Sequence, residues 1–217
     1  MAKTNSSDEK VYRLVVTALL AAMVYIGTLL RIPLGTSKVH VANAICVFAG
    51  FILNPMDAGT AAGLGSAIYD LTLGGYGILD AVITFVSKFL MAALSSVLLR
   101  LAKKYIAKGN ELEGQHTPVI YIISAISALT YTALYMLKSF MWVTVGLVTV
   151  ETSSKAAEML EGKSLLSGAS VWMLSKMPAS LLNAGVSAFL APFLYWTVRP
   201  ALVKAGVIAK LNPTRQN

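Results

Sequence analysis

The chain has 217 residues, 56% of them hydrophobic and only 13% charged, with a formal net charge of +8 and a mean hydropathy of +0.69. Soluble domains are roughly 45–50% apolar and about 25% charged, so this chain has too few charged residues to cover a water-facing surface. Disordered, collagen-like and ordinary soluble-enzyme classes are excluded, and the bilayer is the expected solvent.

A spanning helix needs about 20 mainly apolar residues. The polar stretch at 1–10 lacks a cleavable-signal pattern and reads as a cytoplasmic tail. The first span is predicted over 11–31, where Leu14–Leu30 is uncharged. The second covers 39–54, with His40 as its one ionisable group, and stops at the Asn54-Pro55 turn signal. The third, over 57–71, is short and rich in small residues, and ends at Tyr69-Asp70. A connector, Gly74-Gly75-Tyr76-Gly77, leads to the fourth span over 78–102, which holds Asp80, Lys88 and Arg100. The fifth, 117–150, is interrupted only by Lys138, and in the sixth, 164–200, the stretch Leu165–Val198 is interrupted only by Lys176. Between them, Glu151–Lys163 carries five charged residues and reads as a polar loop with at most a helical turn. A second tail follows at 204–217. The expected fold is a single all-α domain, a six-helix transmembrane bundle.

Lysine and arginine counts orient it. With both termini cytoplasmic, the inner segments hold Lys3, Lys10, Arg13, Arg100, Lys103, Lys104, Lys108, Arg199, Lys204, Lys210 and Arg215, and the outer ones only Arg31, Lys38, Lys155 and Lys163. The basic excess is therefore assigned to the cytoplasmic face rather than to a nucleic-acid surface. One cysteine, Cys46, and two histidines, His40 and His116, leave no disulfide framework and no His/Cys metal cluster. No cofactor is implied, and His116, in a polar loop, is given no role.

Small residues let membrane helices approach closely. Gly59-x3-Gly63 and Ala61-x3-Gly65 on the third span read mainly as packing within the chain. Ala18 and Ala22 on the first span can equally dock a partner protein. Gly63-Leu64-Gly65 is not a dinucleotide fingerprint, and no phosphate-loop lysine motif occurs. ATP hydrolysis by this chain is thereby excluded, and no nucleophile–base pair marks a catalytic site.

Lys88, Lys138 and Lys176 are the costly residues, each about 2.5–3.5 kcal/mol near a helix centre. Two arrangements compensate them: pairing with Asp70 and Asp80 as packing elements, or lining an outward-facing polar cavity. Lys88 is placed roughly 12 Å deeper than Asp80 at 1.5 Å per residue. His40 and Asn43, three apart on one face of the second helix, together with Tyr69, Tyr76 and Asn183, supply the rings and donors that a flat heterocycle needs.

Lys38-Val-His-Val-Ala-Asn43, Ala49-Gly50, Gly59-x3-Gly63-Leu-Gly65-x3-Tyr69-Asp70, Lys88-Phe89, Tyr135-Met-Leu-Lys138, Lys176-Met-Pro-Ala-Ser-Leu-Leu-Asn183 and Arg199-Pro200 together resemble the substrate-capture (S) components of energy-coupling-factor (ECF) vitamin transporters. The likeness is to the riboflavin-type group that includes hydroxymethylpyrimidine and pyridoxine carriers, and it covers most of Val11–Ala201. The resemblance implies a multi-pass protein of the bacterial cell membrane that binds a vitamin near its outer face. It implies pyridoxine or hydroxymethylpyrimidine type ligands, with riboflavin and cobalamin as alternatives. It also implies partnership with a membrane coupling protein and two ABC-type ATPases, docked through Ala18 and Ala22. Three intramembrane lysines are many for a neutral vitamin, which keeps phosphorylated or carboxylated ligands in view. The competing class is a self-sufficient proton-coupled secondary transporter; no inverted repeat and no pair of broken helices is readable in its favour.

Overall fold

An uncharged, mainly apolar sequence from Leu14 onward sustains α1 (Ser6–Leu29) until Arg31. There the chain turns into a two-stranded antiparallel hairpin, β1 (Arg31–Leu34) and β2 (Ser37–His40), paired from Arg31 with His40 to Leu34 with Ser37. Gly35 supplies the positive φ of +60° that the tight turn requires. α2 (Ala42–Ile52) follows, nearly all of it buried, then α3 (Pro55–Tyr69), whose N-cap Asn54 accepts the Asp57 N–H at 3.0 Å. A π-helical turn, Asp70–Gly74, joins α3 to α4 (Gly77–Tyr105). α5 (Thr117–Thr144), the short α6 (Ser154–Leu160), α7 (Leu165–Ser175), α8 (Met177–Lys204) and α9 (Val207–Leu211) complete the order. This is a computed structural model, and it describes residues 6–75, 77–108, 110, 112, 116–147 and 154–211.

α2 occupies the centre, packed against α1, α3, α4, α5 and α8. Among the described residues, four stretches are long and apolar enough to cross a membrane: Glu9–Leu29, Gly77–Tyr105, Thr117–Thr144 and Leu165–Lys204. An all-α membrane protein is thus present, while α2 and α3, at 11 and 15 residues, are shorter than a full crossing.

Three expected boundaries are corrected. The second helix does not begin at Val39: Ser37–His40 is a strand, because Asn183 on α8 accepts the His40 N–H at 2.9 Å and donates to the Lys38 carbonyl at 2.8 Å. Those bonds satisfy backbone groups that a helix would have used internally, and His40 and Asn43 therefore do not share a helical face. The sixth span is not continuous. Pro178 has no N–H to carry the helical ladder across Lys176, so α7 ends at Ser175 and α8 starts at Met177. The fifth helix stops at Thr144, where Gly146 takes a positive φ of +73°; residues 148–150 lie outside the described set. The 204–217 tail also contains structure, since α9 packs back on α1 with Lys210 Nζ 5.1 Å from the Tyr12 ring centroid.

The glycines of α3 pack as small-residue contacts within the chain. A Cβ at Gly59 or Gly63 would meet the rings of Phe89 or Phe85 on α4, whereas one at Gly65 would lie 2.2 Å from the Ala21 carbonyl oxygen on α1. A ring can rotate aside; a helix backbone has to move as a whole. Gly65→Ala is therefore expected to lower stability by about 1–3 kcal/mol through overpacking, and Gly59→Ala by less. Thermal unfolding in detergent checks the order, and equal melting points would contradict the α1–α3 contact.

Candidate functional site

A cavity of about 930 Å³ lies among the hairpin, the end of α3 with its π turn, the first half of α4, the second half of α5 and the α7–α8 break. Its walls follow from local sequence. On α5, Tyr131, Tyr135, Lys138, Ser139 and Trp142 recur at helical spacing and put one polar, aromatic stripe on the cavity side. The Tyr131 and Tyr135 rings stack at 6.2 Å with 22° between planes. On α4, Asp80, Thr84 and Lys88 recur every four residues and form the facing stripe. The hairpin adds Arg31, Lys38 and His40.

Six of the ten binding residues expected from sequence line this cavity: His40, Asp70, Asp80, Lys88, Lys138 and Lys176. Lys138 forms an ion pair with Asp80 and lies 5.3 Å from the Trp142 ring centroid. Lys88 is fully buried, donates to the Asn43 side-chain oxygen and stands 4.1 Å over the Tyr131 ring. Lys176, at the C-terminal end of α7 where a cation is favourable, lies 4.6 Å from the Trp172 ring and 5.7 Å from that of Tyr135. Asp70 and Thr84 both belong to the cavity wall. The two compensating arrangements expected from sequence thus coexist, one lysine being paired with a carboxylate and all three facing the cavity.

His40 belongs to the hairpin, outside the spanning helices. Burial, reinforced by the charges of Lys88, Lys38 and Arg31, pushes its imidazole down to about 3, so it is neutral at physiological pH. Its Nδ1 is buried with no hydrogen-bond partner among the described residues, which leaves a ring nitrogen available at the cavity wall.

Three of the other four expected residues stand elsewhere. Asn43 sits behind Lys88 and positions it. Tyr69 is 1% exposed, packed edge-on to Tyr25 at 6.0 Å, with Arg31 and Lys38 over its ring at 5.5 and 5.0 Å. Asn183 holds the hairpin and lines a small side recess of about 60 Å³ that also touches His40 and Tyr135. Tyr76 lies outside the described residues. Sequence reasoning missed Arg31, Lys38, Tyr131 and Trp142. The α5 stripe was readable as a spacing, whereas Arg31 and Lys38 looked like ordinary loop charges until the hairpin folded them inward.

Ala18 and Ala22 are exposed on the face of α1 opposite Thr17, Leu20, Ala21 and Val24, which point into the bundle. Among the described residues, neither lines the large cavity or its side recess.

No curated protein matches the chain. The family profile described as ECF-type riboflavin transporter, S component, matches residues 8–200, a span that includes the residues lining the cavity, three of the four long apolar stretches in full and the fourth as far as residue 200. Together, the match over most of the chain, the apolar helices and the polar cavity at one end of the bundle establish that this membrane protein belongs to the ECF-type S-component family of vitamin transporters.

Proposed function

We propose that this chain is the vitamin-binding S component of an ATP-driven ECF importer in a bacterial cell membrane. It captures a small heterocyclic vitamin, of pyridoxine, hydroxymethylpyrimidine or riboflavin type, in the hairpin-capped cavity and delivers it inward with a coupling protein and two ABC-type ATPases. The observation that carries this reading is the cavity. Its volume falls in the roughly 300–1,000 Å³ range of small-molecule sites, and stacked rings beside a few placed polar groups suit a flat heterocycle. Mass spectrometry of the small molecule released from the purified chain tests it. A heterocyclic vitamin is expected; a chain that carries none and binds none when offered pyridoxine or riboflavin would refute the reading.

In the proposed arrangement α1, α2, α3, α4, α5 and the broken α7–α8 make the six helices, with both termini cytoplasmic. Basic residues support the orientation: Lys10, Arg13, Lys104 and Lys204 belong to the end away from the hairpin. Cysteines at Asn110 and Glu161, both exposed, discriminate. Asn110→Cys should react with an impermeant thiol reagent only from the cytoplasm and Glu161→Cys only from outside. The reverse pattern would invert every depth assigned to the cavity.

One observation favours the second reading, a self-sufficient secondary transporter. The sixth span is broken at Lys176 and the third ends in a π turn at Asp70, and discontinuous helices beside paired charges occur in such transporters. It is separated from the first by the energy source that uptake requires.

A further inference from the structure

The charges of the cavity do not balance. Five cationic side chains line it, Arg31, Lys38, Lys88, Lys138 and Lys176, against two carboxylates, Asp70 and Asp80. Asp80 is engaged by Lys138. Lys176 instead faces two rings, Trp172 and Tyr135; a cation over a ring is stabilised, yet its charge is not cancelled. Concave walls of low dielectric focus such an excess and raise the local concentration of anions.

Position adds to charge. Lys88 over Tyr131 and Lys176 beside Tyr135 stand at the two ends of one stacked tyrosine pair. Ser37 shares a 3.3 Å hydrogen bond with the Tyr135 hydroxyl, and Thr36 one of 2.9 Å with Ser175 next to Lys176. The hairpin that carries Arg31 and Lys38 is thereby tied directly to the segment that carries Lys176. A ring lying along the tyrosine pair would present its substituent to ammonium groups and serine or threonine hydroxyls.

We infer that the ligand of this cavity is an anion: a flat heterocycle bearing a phosphate or carboxylate group, with Lys176 as a counter-ion to that group. The inference rests on the vitamin-capture reading above and narrows its substrate class.

The test is equilibrium binding to the purified full chain in detergent, by calorimetry, with ring-matched probes. Riboflavin is compared with flavin mononucleotide, and pyridoxine with pyridoxine 5′-phosphate and with 4-pyridoxate; the last two separate phosphate from carboxylate. In one ring series an anionic member is expected to bind at least about tenfold tighter than the neutral one. Lys176→Met should weaken the anionic member about 10–150-fold, as expected for loss of a charge-assisted bond. It should weaken the neutral one less, and Lys176→Arg should restore much of the difference. Equal or tighter binding of the neutral member in the unaltered protein, or equal losses for both in Lys176→Met, would overturn the inference while leaving vitamin capture standing. If no member of either series binds the unaltered protein, the vitamin-capture reading falls, and this inference with it.

Discussion

Replacing Ala18 and Ala22 together by tryptophan is expected to abolish ATP-driven uptake while ligand binding by the solitary chain is essentially unchanged. Both alanines lie on the exposed face of α1, one helical turn apart, in line with Leu14 and Ile26, which are also exposed. Small residues in lipid allow another helix to approach to backbone contact, and an indole at each position prevents that approach outright. Neither alanine lines the cavity or packs against the hairpin, so the site is not disturbed. Co-purification of the coupling protein with the double variant measures docking directly, and calorimetry on the variant alone measures binding. Normal uptake by the double variant would show that the ATPase module docks elsewhere.

The second large effect falls on stability. Lys138 and Asp80 pair across α5 and α4, each side chain only 15% exposed. Removing one member of a buried pair leaves the other as an uncompensated charge, at a cost of about 3–5 kcal/mol in soluble proteins. Access of water from the cavity reduces that cost, so Asp80→Ala is expected to destabilise by up to about 3 kcal/mol. Adding Lys138→Met removes the stranded ammonium and replaces it with a side chain suited to a helix interior. The double variant should therefore recover most of the lost melting temperature, a non-additivity that a double-mutant cycle reads as coupling. Additive losses would mean that the two groups hold each other little and that each is retained for the ligand alone.

The helices of this fold were legible because hydropathy and length speak directly to a bilayer. The membrane class, the stop at Asn54-Pro55 and the packing role of the α3 glycines all come from local rules. The hairpin at 31–40 was not legible. Val39, His40 and Val41 continue the apolar run of α2, and what makes Ser37–His40 a strand is Asn183, 143 residues from His40 in the sequence. The break at Lys176 had a local cause, Pro178, but a proline in a first helical turn and a proline that interrupts a helix look alike until the chain before it is seen to end. The site was readable in its charged members, because an ionisable group within an apolar span is costly enough to need a reason. Its aromatic members were harder. Tyr131, Tyr135 and Trp142 are ordinary helix-packing residues in composition, and only the placement of Lys88, Lys138 and Lys176 against their faces marks them as cavity wall.

The central claim is that this chain captures its ligand and relies on partner ATPases to move it. Accumulation of radiolabelled ligand, the molecule identified from the purified chain, should be measured in membranes containing this chain alone and in membranes that also contain the coupling protein and both ATPases. Binding without accumulation is expected in the first case, and in the second an accumulation that stops when ATP is withheld. Concentrative uptake by the chain alone, driven by a proton gradient, would contradict it.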